Sequence, residues 1–297
     1  MALTIGVFDG VHLGHQALMA ETLRQAKENN FLSGVVTFAG HPRQVLGKHI
    51  DLPHLTSLEK RIRLIKETGV DAVVVLTFTK ELASVPAEDF LSLLREYLKL
   101  NSLVIGPDFA LGKGREGNVD SIKVIGDKIG FKVTVVPPLA KSGSKVSSTR
   151  IRKAMAESNM ASVHDLLGRY FSLEGTVVKG DGRGATIGIP TANIEVPVDQ
   201  ALPADGVYAT IACLNGKSMP SITNIGTRPT FGGRQRTIET HLLEFKGDLY
   251  GLSLEIAIIE QIRPEKKFAS ANELISQINR DIAKARQILK KTGCFDA

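Results

Sequence analysis

The sequence predicts two folded units in series, an α/β unit built on a parallel sheet and then an antiparallel β unit closed by a helix. Three observations carry this. The first half alternates short apolar strands with helical stretches. From about Tyr170 onward short strand patterns separated by Gly, Pro and Asn take over, and the chain closes on one amphipathic helix. The switch places a boundary near residues 160–170, giving units of residues 1–168 and 169–297.

In order, Leu3 to Phe8 reads as a strand and Leu13 to Glu28 as a helix; Gly34 to Phe38 is the second strand. Thr56, with Glu59 three residues on, has the capping-box spacing of a helix start. Asp71 to Thr77 is a continuous β-branched run, the pattern of a strand buried on both faces. Pro86 opens the next helix, and Ser102 to Ile105 and Lys132 to Val136 are further strands. In the second half Leu254, Ile256, Ile258 and Ile262 alternate with Glu255 and Gln261, an antiparallel signature that suggests a barrel. Ser270 and Glu273 cap the last helix, whose buried stripe is Leu274, Ile278, Ile282, Ala285 and Leu289.

Composition narrows the function classes. Hydrophobic residues are 43% and charged residues 23% of the 297, which suits packed cores. No apolar run reaches the ~18 residues needed to span a bilayer, and no basic-then-apolar leader is visible, so no membrane partner is expected. The two cysteines, Cys213 and Cys294, lack metal-ligand spacing, and a reducing, cytoplasmic setting is expected. The net charge of +6 suits an enzyme that handles several phosphates. Dispersed basic residues, 5% aromatics and no tryptophan argue against nucleic acid as the main ligand.

The run Gly6-Val7-Phe8-Asp9-Gly10-Val11-His12-Leu13-Gly14-His15 leaves a strand and enters a helix. Gly10 and Gly14 let backbone approach a phosphate chain, and the helix start supplies unpaired N–H groups and a positive dipole end. His12 and His15, three apart, can present both imidazoles to one anion, more strongly if protonated. No Walker lysine is present. On residues alone a Gly-rich turn with two surface histidines stays open. Ser147-Ser148-Thr149-Arg150-Ile151-Arg152, with Lys145 before it, marks a second helix start able to bind phosphate oxygens, with Arg150 or Arg152 placed to neutralise a pyrophosphate leaving group.

These two signatures resemble the nucleotidyltransferase superfamily with its His-x-Gly-His and Ser-Ser-Thr-x-x-Arg motifs. More narrowly they resemble the FMN adenylyltransferase module of prokaryotic bifunctional FAD synthetases. Supporting segments are Thr37-Phe38 with His41-Pro42, Ile105 to Phe109, and Gly112 to Asn118. The resemblance implies a Rossmann-like fold and in-line attack of an FMN phosphate on the α-phosphorus of ATP. It implies catalytic His12, His15 and Arg152, and phosphate or nucleotide contacts from Gly6, Phe8, Asp9, Gly10, Gly14, Lys145, Ser147, Ser148 and Thr149. Flavin contacts fall to Asp108, Phe109 and Asn118. Ala110 and Leu111 stand where relatives commonly carry Arg and Phe.

In the second half, Gly188-Ile189-Pro190-Thr191-Ala192-Asn193 follows the Gly-rich stretch Gly180 to Gly184. Thr191 and Asn193, two apart on a strand, face one side and offer hard oxygens suited to Mg²⁺; a polar turn fits the same spacing. Asn224 to Gly233 has the look of a lid, and Glu239 and His241 share a strand face. Together with Phe245 to Gly251 and Arg263-Pro264-Glu265-Lys266-Lys267-Phe268, these runs resemble the riboflavin kinase family. The resemblance implies a small antiparallel barrel with a terminal helix. It implies Mg²⁺ and phosphates held by Thr191 and Asn193, a nucleotide contact at Gly188, a flavin contact at Arg228, and Glu239 as the base for the riboflavin 5′-hydroxyl. Relatives often carry Arg or Lys where Ala185 stands, with Arg183 nearby. The expected whole is a bifunctional FAD synthetase using riboflavin, FMN and ATP with Mg²⁺. Its rivals are a protein with one degenerate domain and a flavin-binding protein without turnover.

Overall fold

The computed structural model describes residues 1–40, 47, 53–180, 182, 184, 187–230 and 233–293, with backbone only at 228–230 and 233–235. The chain divides into two compact units, Met1–Ser148 and Thr149–Ala297.

The first unit is a five-stranded parallel sheet in the order β3-β2-β1-β4-β7. Its strands are β1 (Ala2–Ile5), β2 (Ser33–Ala39), β3 (Ala72–Thr77), β4 (Ser102–Ile105) and β7 (Lys132–Val135). Two hairpins, β5 (Ala110–Leu111) with β6 (Gly117–Asn118) and β8 (Ala140–Lys141) with β9 (Ser144–Lys145), stand outside it. The helices are α1 (Leu13–Glu28), α2 (Leu58–Lys66), α3 (Lys80–Ser84), α4 (Ala87–Leu98) and α5 (Val119–Ile129). Alternation sends consecutive residues to opposite faces. Val36 joins Leu3, Ile5 and Leu103 against Leu91 of α4 and Ile122 of α5, while Val35 joins Met19 of α1 and Ile65 of α2.

Three sequence expectations are corrected here. β1 ends at Ile5 because Phe8 takes φ +51 and turns the chain out of the sheet. The β-branched run of β3 lies at the sheet edge, so its residues are only partly buried, Val75 being 37% exposed; an uninterrupted apolar run does not tell edge from centre. The cap of α2 is Ser57, whose hydroxyl accepts the Lys60 N–H, which frees Thr56 to accept the Gly10 N–H at 3.2 Å.

Helix α6 (Ser148–Ala156) starts on the last residue of the first unit, and the second unit continues with α7 (Met160–Leu167). A closed antiparallel barrel follows in the order β10-β11-β14-β13-β12-β15. Its strands are β10 (Phe171–Val178), β11 (Ala192–Glu195), β12 (Gly206–Leu214), β13 (Lys217–Thr230), β14 (Gly233–Leu242) and β15 (Ser253–Pro264). Helix α8 (Ala271–Lys290) packs Ala285, Ile288 and Leu289 on the barrel's outer face against Val207, Ala209, Ile211 and Ile222. The lumen holds fully buried hydroxyls that satisfy one another: Thr210 with Ser221 (2.7 Å) and Thr223 (2.9 Å), and Thr223 with Thr240 (3.0 Å).

Two expectations change in this unit. Register shifts of β15 against β12 reverse the alternation, so Ile259 and Ile262 join the α8 cluster and Gln261 turns to Tyr208. In the helical stripe, Leu274 and Ile278 line a cavity and the buried charged position is Asp281. The cap of α8 is as expected, with the Ser270 hydroxyl accepting the Glu273 N–H at 3.2 Å.

Candidate active sites

In an open parallel sheet, ligands bind at the carboxyl ends of the strands where the strand order reverses. Here β1 leads to β2 and β3 on one side, with β4 and β7 on the other, so the crevice lies beyond the ends of β1 and β4. The Gly6 to His12 loop follows β1 and the Gly106 to Phe109 loop follows β4.

The β1 loop is strained: Phe8, Gly10 and Val11 have φ of +51, +82 and +39, unusual above all for a β-branched valine. It is held from below. The Asp9 carboxylate, 4% exposed, accepts the N–H groups of Leu55 (2.9 and 3.1 Å) and Thr56 (3.2 Å). The Asp9 carbonyl accepts the Ser148 hydroxyl at 2.9 Å, tying the Ser-Ser-Thr segment to this loop. The Asp9 carboxylate thus holds the 55–56 segment, and the Phe8 side chain lies in the core beside Met19 and Ile65.

His12 is the N-cap of α1, and its Nδ1 accepts the His15 N–H at 3.3 Å. The neutral ring thus carries its proton on Nε2, a donor for an anion. The His15 ring stacks on His12 with centroids 3.5 Å apart and planes at 19°, and Phe8 meets it edge-on at 5.2 Å. Burial holds His15 well below the ordinary imidazole range, and the electrostatic influence of His12 and Arg61 adds to it. Both imidazoles of the pair thus lie at the start of α1, with His15 buried beside its cap residue.

Gly6 lies just past β1, and Gly14 lies in the first turn of α1 beside His12. Asp108 pairs with Lys145 of β9, which pulls its carboxyl below the usual range. Phe109 is half-buried against the core, while the Asn118 Oδ1 caps α5 by accepting the Asp120 and Ser121 N–H groups. The Asn118 oxygen thus serves as the cap of α5. Ala110 and Leu111 form β5, paired with Asn118 and Gly117. Ser147 and Ser148 end the first unit; Thr149, Arg150 and Arg152 lie on α6, which the contacts assign to the second. His41 and Pro42 lie outside the described residues.

On the barrel, cross-strand register places Asn193 (β11), Glu239 (β14), Asn224 (β13), Val207 (β12) and Arg263 (β15) in one row. All face outward into a cavity of about 600 Å³ that Thr191, His241, Glu265, Phe268, Leu274 and Asp281 also line. Asn224, read as part of a lid, stands in the barrel wall beside Glu239. Thr191 also borders a smaller cavity of about 180 Å³, walled by Val177, Leu242, Phe245, Leu249 and Tyr250. His241 Nδ1 lies 2.7 Å from the Pro190 carbonyl, which can only accept, so the proton sits on Nδ1. Gly188 makes the turn before Pro190 at φ +76. The Arg228 side chain, Arg183 and Ala185 lie outside the described residues.

Against known proteins, residues 1–150 match the FAD synthetase family model and residues 167–289 the riboflavin kinase model. The bifunctional riboflavin kinase/FMN adenylyltransferase of Escherichia coli (strain K12) is 39% identical over 292 residues, covering 98% of this chain and 93% of that protein. The chain belongs to the bifunctional riboflavin kinase/FMN adenylyltransferase family. Its namesake in Listeria monocytogenes is 35% identical over 97% of this chain and 92% of that protein. The crystal structure of a macrolide-efflux protein from Streptococcus pneumoniae has the same fold, with a TM-score of 0.89 at 30% identity over 96% of this chain and 93% of that one. No helix among the described residues of this chain is long and apolar enough to cross a membrane.

Two buried charges beside these candidate sites were not visible in the sequence. Arg61, 2% exposed, lies beneath the β1 loop, and Asp281, also 2% exposed, anchors Arg263 at 2.9 Å in the cavity wall. Each sits in an ordinary amphipathic helix pattern, and only the tertiary fold tells a buried charge from a solvated one.

Proposed function

We propose that the barrel unit transfers the γ-phosphoryl group of ATP to the riboflavin 5′-hydroxyl, giving FMN and ADP, and that the α/β unit transfers AMP from ATP to FMN, giving FAD and pyrophosphate. The observation that carries the kinase reading is Thr191, shared by two cavities beside the Asn193–Glu239–Asn224 row. The smaller cavity suits a purine and the larger one a tricyclic flavin. Phosphoryl transfer then falls where they meet. Glu239 accepts the hydroxyl proton, a role typically worth ~10²–10⁴ in rate.

The hydroxyl of Thr191 and the amide oxygen of Asn193 are hard, uncharged donors beside a carboxylate, a set that fits Mg²⁺. Bound there, Mg²⁺ would neutralise phosphate charge; Thr191 and Asn193 position it, and His241 keeps Nε2 available to the cavity. In the α/β unit His12 donates from Nε2, the α1 start supplies N–H groups, and Lys145, Ser147 and Ser148 complete the phosphate site. Asp108 and Phe109 border the flavin side. The adenylyltransferase part is proposed to run to residue 168, and the protein to work in the cytoplasm.

Incubation with riboflavin, ATP and Mg²⁺, followed by separation of the flavins, tests this. FMN and then FAD are expected. FMN without FAD would sink the N-terminal assignment, and FAD from supplied FMN without phosphorylation of riboflavin would sink the other. Glu239→Ala is expected to abolish FMN formation and spare adenylylation of supplied FMN.

A further inference from the structure

The least explained group in the first unit is Arg61 of α2. Its guanidinium is buried, yet it is met chiefly by backbone: Nη1 donates to the Val7 carbonyl at 2.8 Å and Nη2 to the Phe38 carbonyl at 2.7 Å. Nε is buried with no partner among the described residues. Asp9 and Glu59 are the carboxylates whose charge acts on it. Burying a guanidinium this way costs stability that an apolar side chain would not. Such a cost persists where it serves a site.

The two carbonyls it clamps are informative. Phe38 is next to the last residue of β2, and Val7 lies two residues past β1. The Val7 carbonyl also accepts the Thr37 hydroxyl at 3.2 Å. Drawing that carbonyl inward turns the chain where Phe8 enters the left-handed region, and the strained loop then runs directly into the His12 cap. A strained conformation lasts only if its surroundings over-determine it. We propose that Arg61 is a positioning residue of adenylyl transfer: by bridging the Val7 and Phe38 carbonyls it fixes the β1 loop, and with it the His12–His15 pair, in the geometry that receives the ATP phosphates.

Methionine at position 61 keeps most of the stem volume and loses both donors and the charge. Lysine keeps the charge but offers a point donor in place of a planar fork. The assay is steady-state FAD formation from FMN, ATP and Mg²⁺, with riboflavin phosphorylation by the same full-length protein as internal control. Arg61→Met is expected to lower kcat for FAD formation about 10²-fold, the usual cost of roughly 1 Å of misplacement. KM for ATP should change less, and phosphorylation should stay within about twofold. Arg61→Lys is expected to recover part of kcat.

The inference rests on the adenylyltransferase reading, and the controls separate the two. An inactive wild-type protein would sink that reading. An active wild-type protein with wild-type kcat in Arg61→Met would overturn only the role of Arg61, as would a loss wholly accounted for by the unfolded fraction. If Arg61→Met does not fold, Arg61→Lys decides: a fall of about tenfold or more in the folded protein supports the role, and an unchanged kcat overturns it.

Discussion

Asp9 lies inside the phosphate-binding run, yet its carboxylate serves the backbone. Its Oδ1 accepts the N–H groups of both Leu55 and Thr56, and Oδ2 adds a second contact to Leu55. A hydrogen bond to a charged group contributes about 1.5–3 kcal/mol. Asp9→Ala leaves two buried amides without their acceptor, so the first unit should lose about 3–5 kcal/mol. Domain stabilities are typically ~5–15 kcal/mol, which makes this a large fraction. Asp9→Asn can keep Oδ1 on both amides as neutral bonds and should lose about half as much.

Urea unfolding followed by far-ultraviolet circular dichroism, fitted to separate transitions, reads the cost; amide hydrogen exchange locates it. Exchange at Leu55 and Thr56 should speed about 10²-fold in Asp9→Ala, as ~3 kcal/mol of lost protection requires. FAD formation should fall with it, because the Gly10 N–H bond to Thr56 depends on the same segment. A loss below about 1 kcal/mol, or intact protection at both amides, would refute the clamp and return the Asp9 carboxylate to the ligand side.

A Cβ on Gly14 would stand 3.2 Å from Cε1 and Nδ1 of His12, so Gly14→Ala should tilt that ring and lower FAD formation while phosphorylation of riboflavin holds; equal activity would show that the His12 ring tolerates the shift. His15 titrates lower in the folded state than its ordinary value, so the unfolded chain takes up the proton first. Its contribution to stability is therefore complete above about pH 6.5 and is lost as pH falls below that. The first unit's melting temperature should fall between pH 7.5 and 5.5, and a His15→Gln variant that kept the whole of that slope would contradict the assignment.

What the sequence made legible follows from the range of the interactions. The α1 start was readable because a Gly-rich turn, a cap and a helix are all local; α1 runs over the span expected. The i, i+2 pairs Thr191–Asn193 and Glu239–His241 were readable because strand alternation is local too. What escaped depends on long-range placement. β3 at the sheet edge, the bulges that reverse β15, and the acceptor role of Thr56 each follow from a partner distant in sequence. The two buried charges escaped for the same reason: Arg61 finds Val7 from 54 residues away and Asp281 finds Arg263 from 18.

The two proposed phosphate sites would solve one problem by different means. The α/β site, on the proposed reading, would meet the triphosphate with a buried imidazole stacked on its cap residue, N–H groups from a helix start and a buried cation below the loop. Its charge is fixed in the fold, so little reorganises as the pyrophosphate leaves. The barrel site, as proposed, instead sets the uncharged oxygens of Thr191 and Asn193 beside a carboxylate, a set suited to a cation arriving with the nucleotide. A Thr191→Val variant removes one of those oxygens at nearly constant volume. It should therefore raise the Mg²⁺ concentration needed for FMN formation and leave that for FAD formation alone. An equal shift in both reactions would mean that the metal requirement belongs to ATP itself and not to this wall of the barrel.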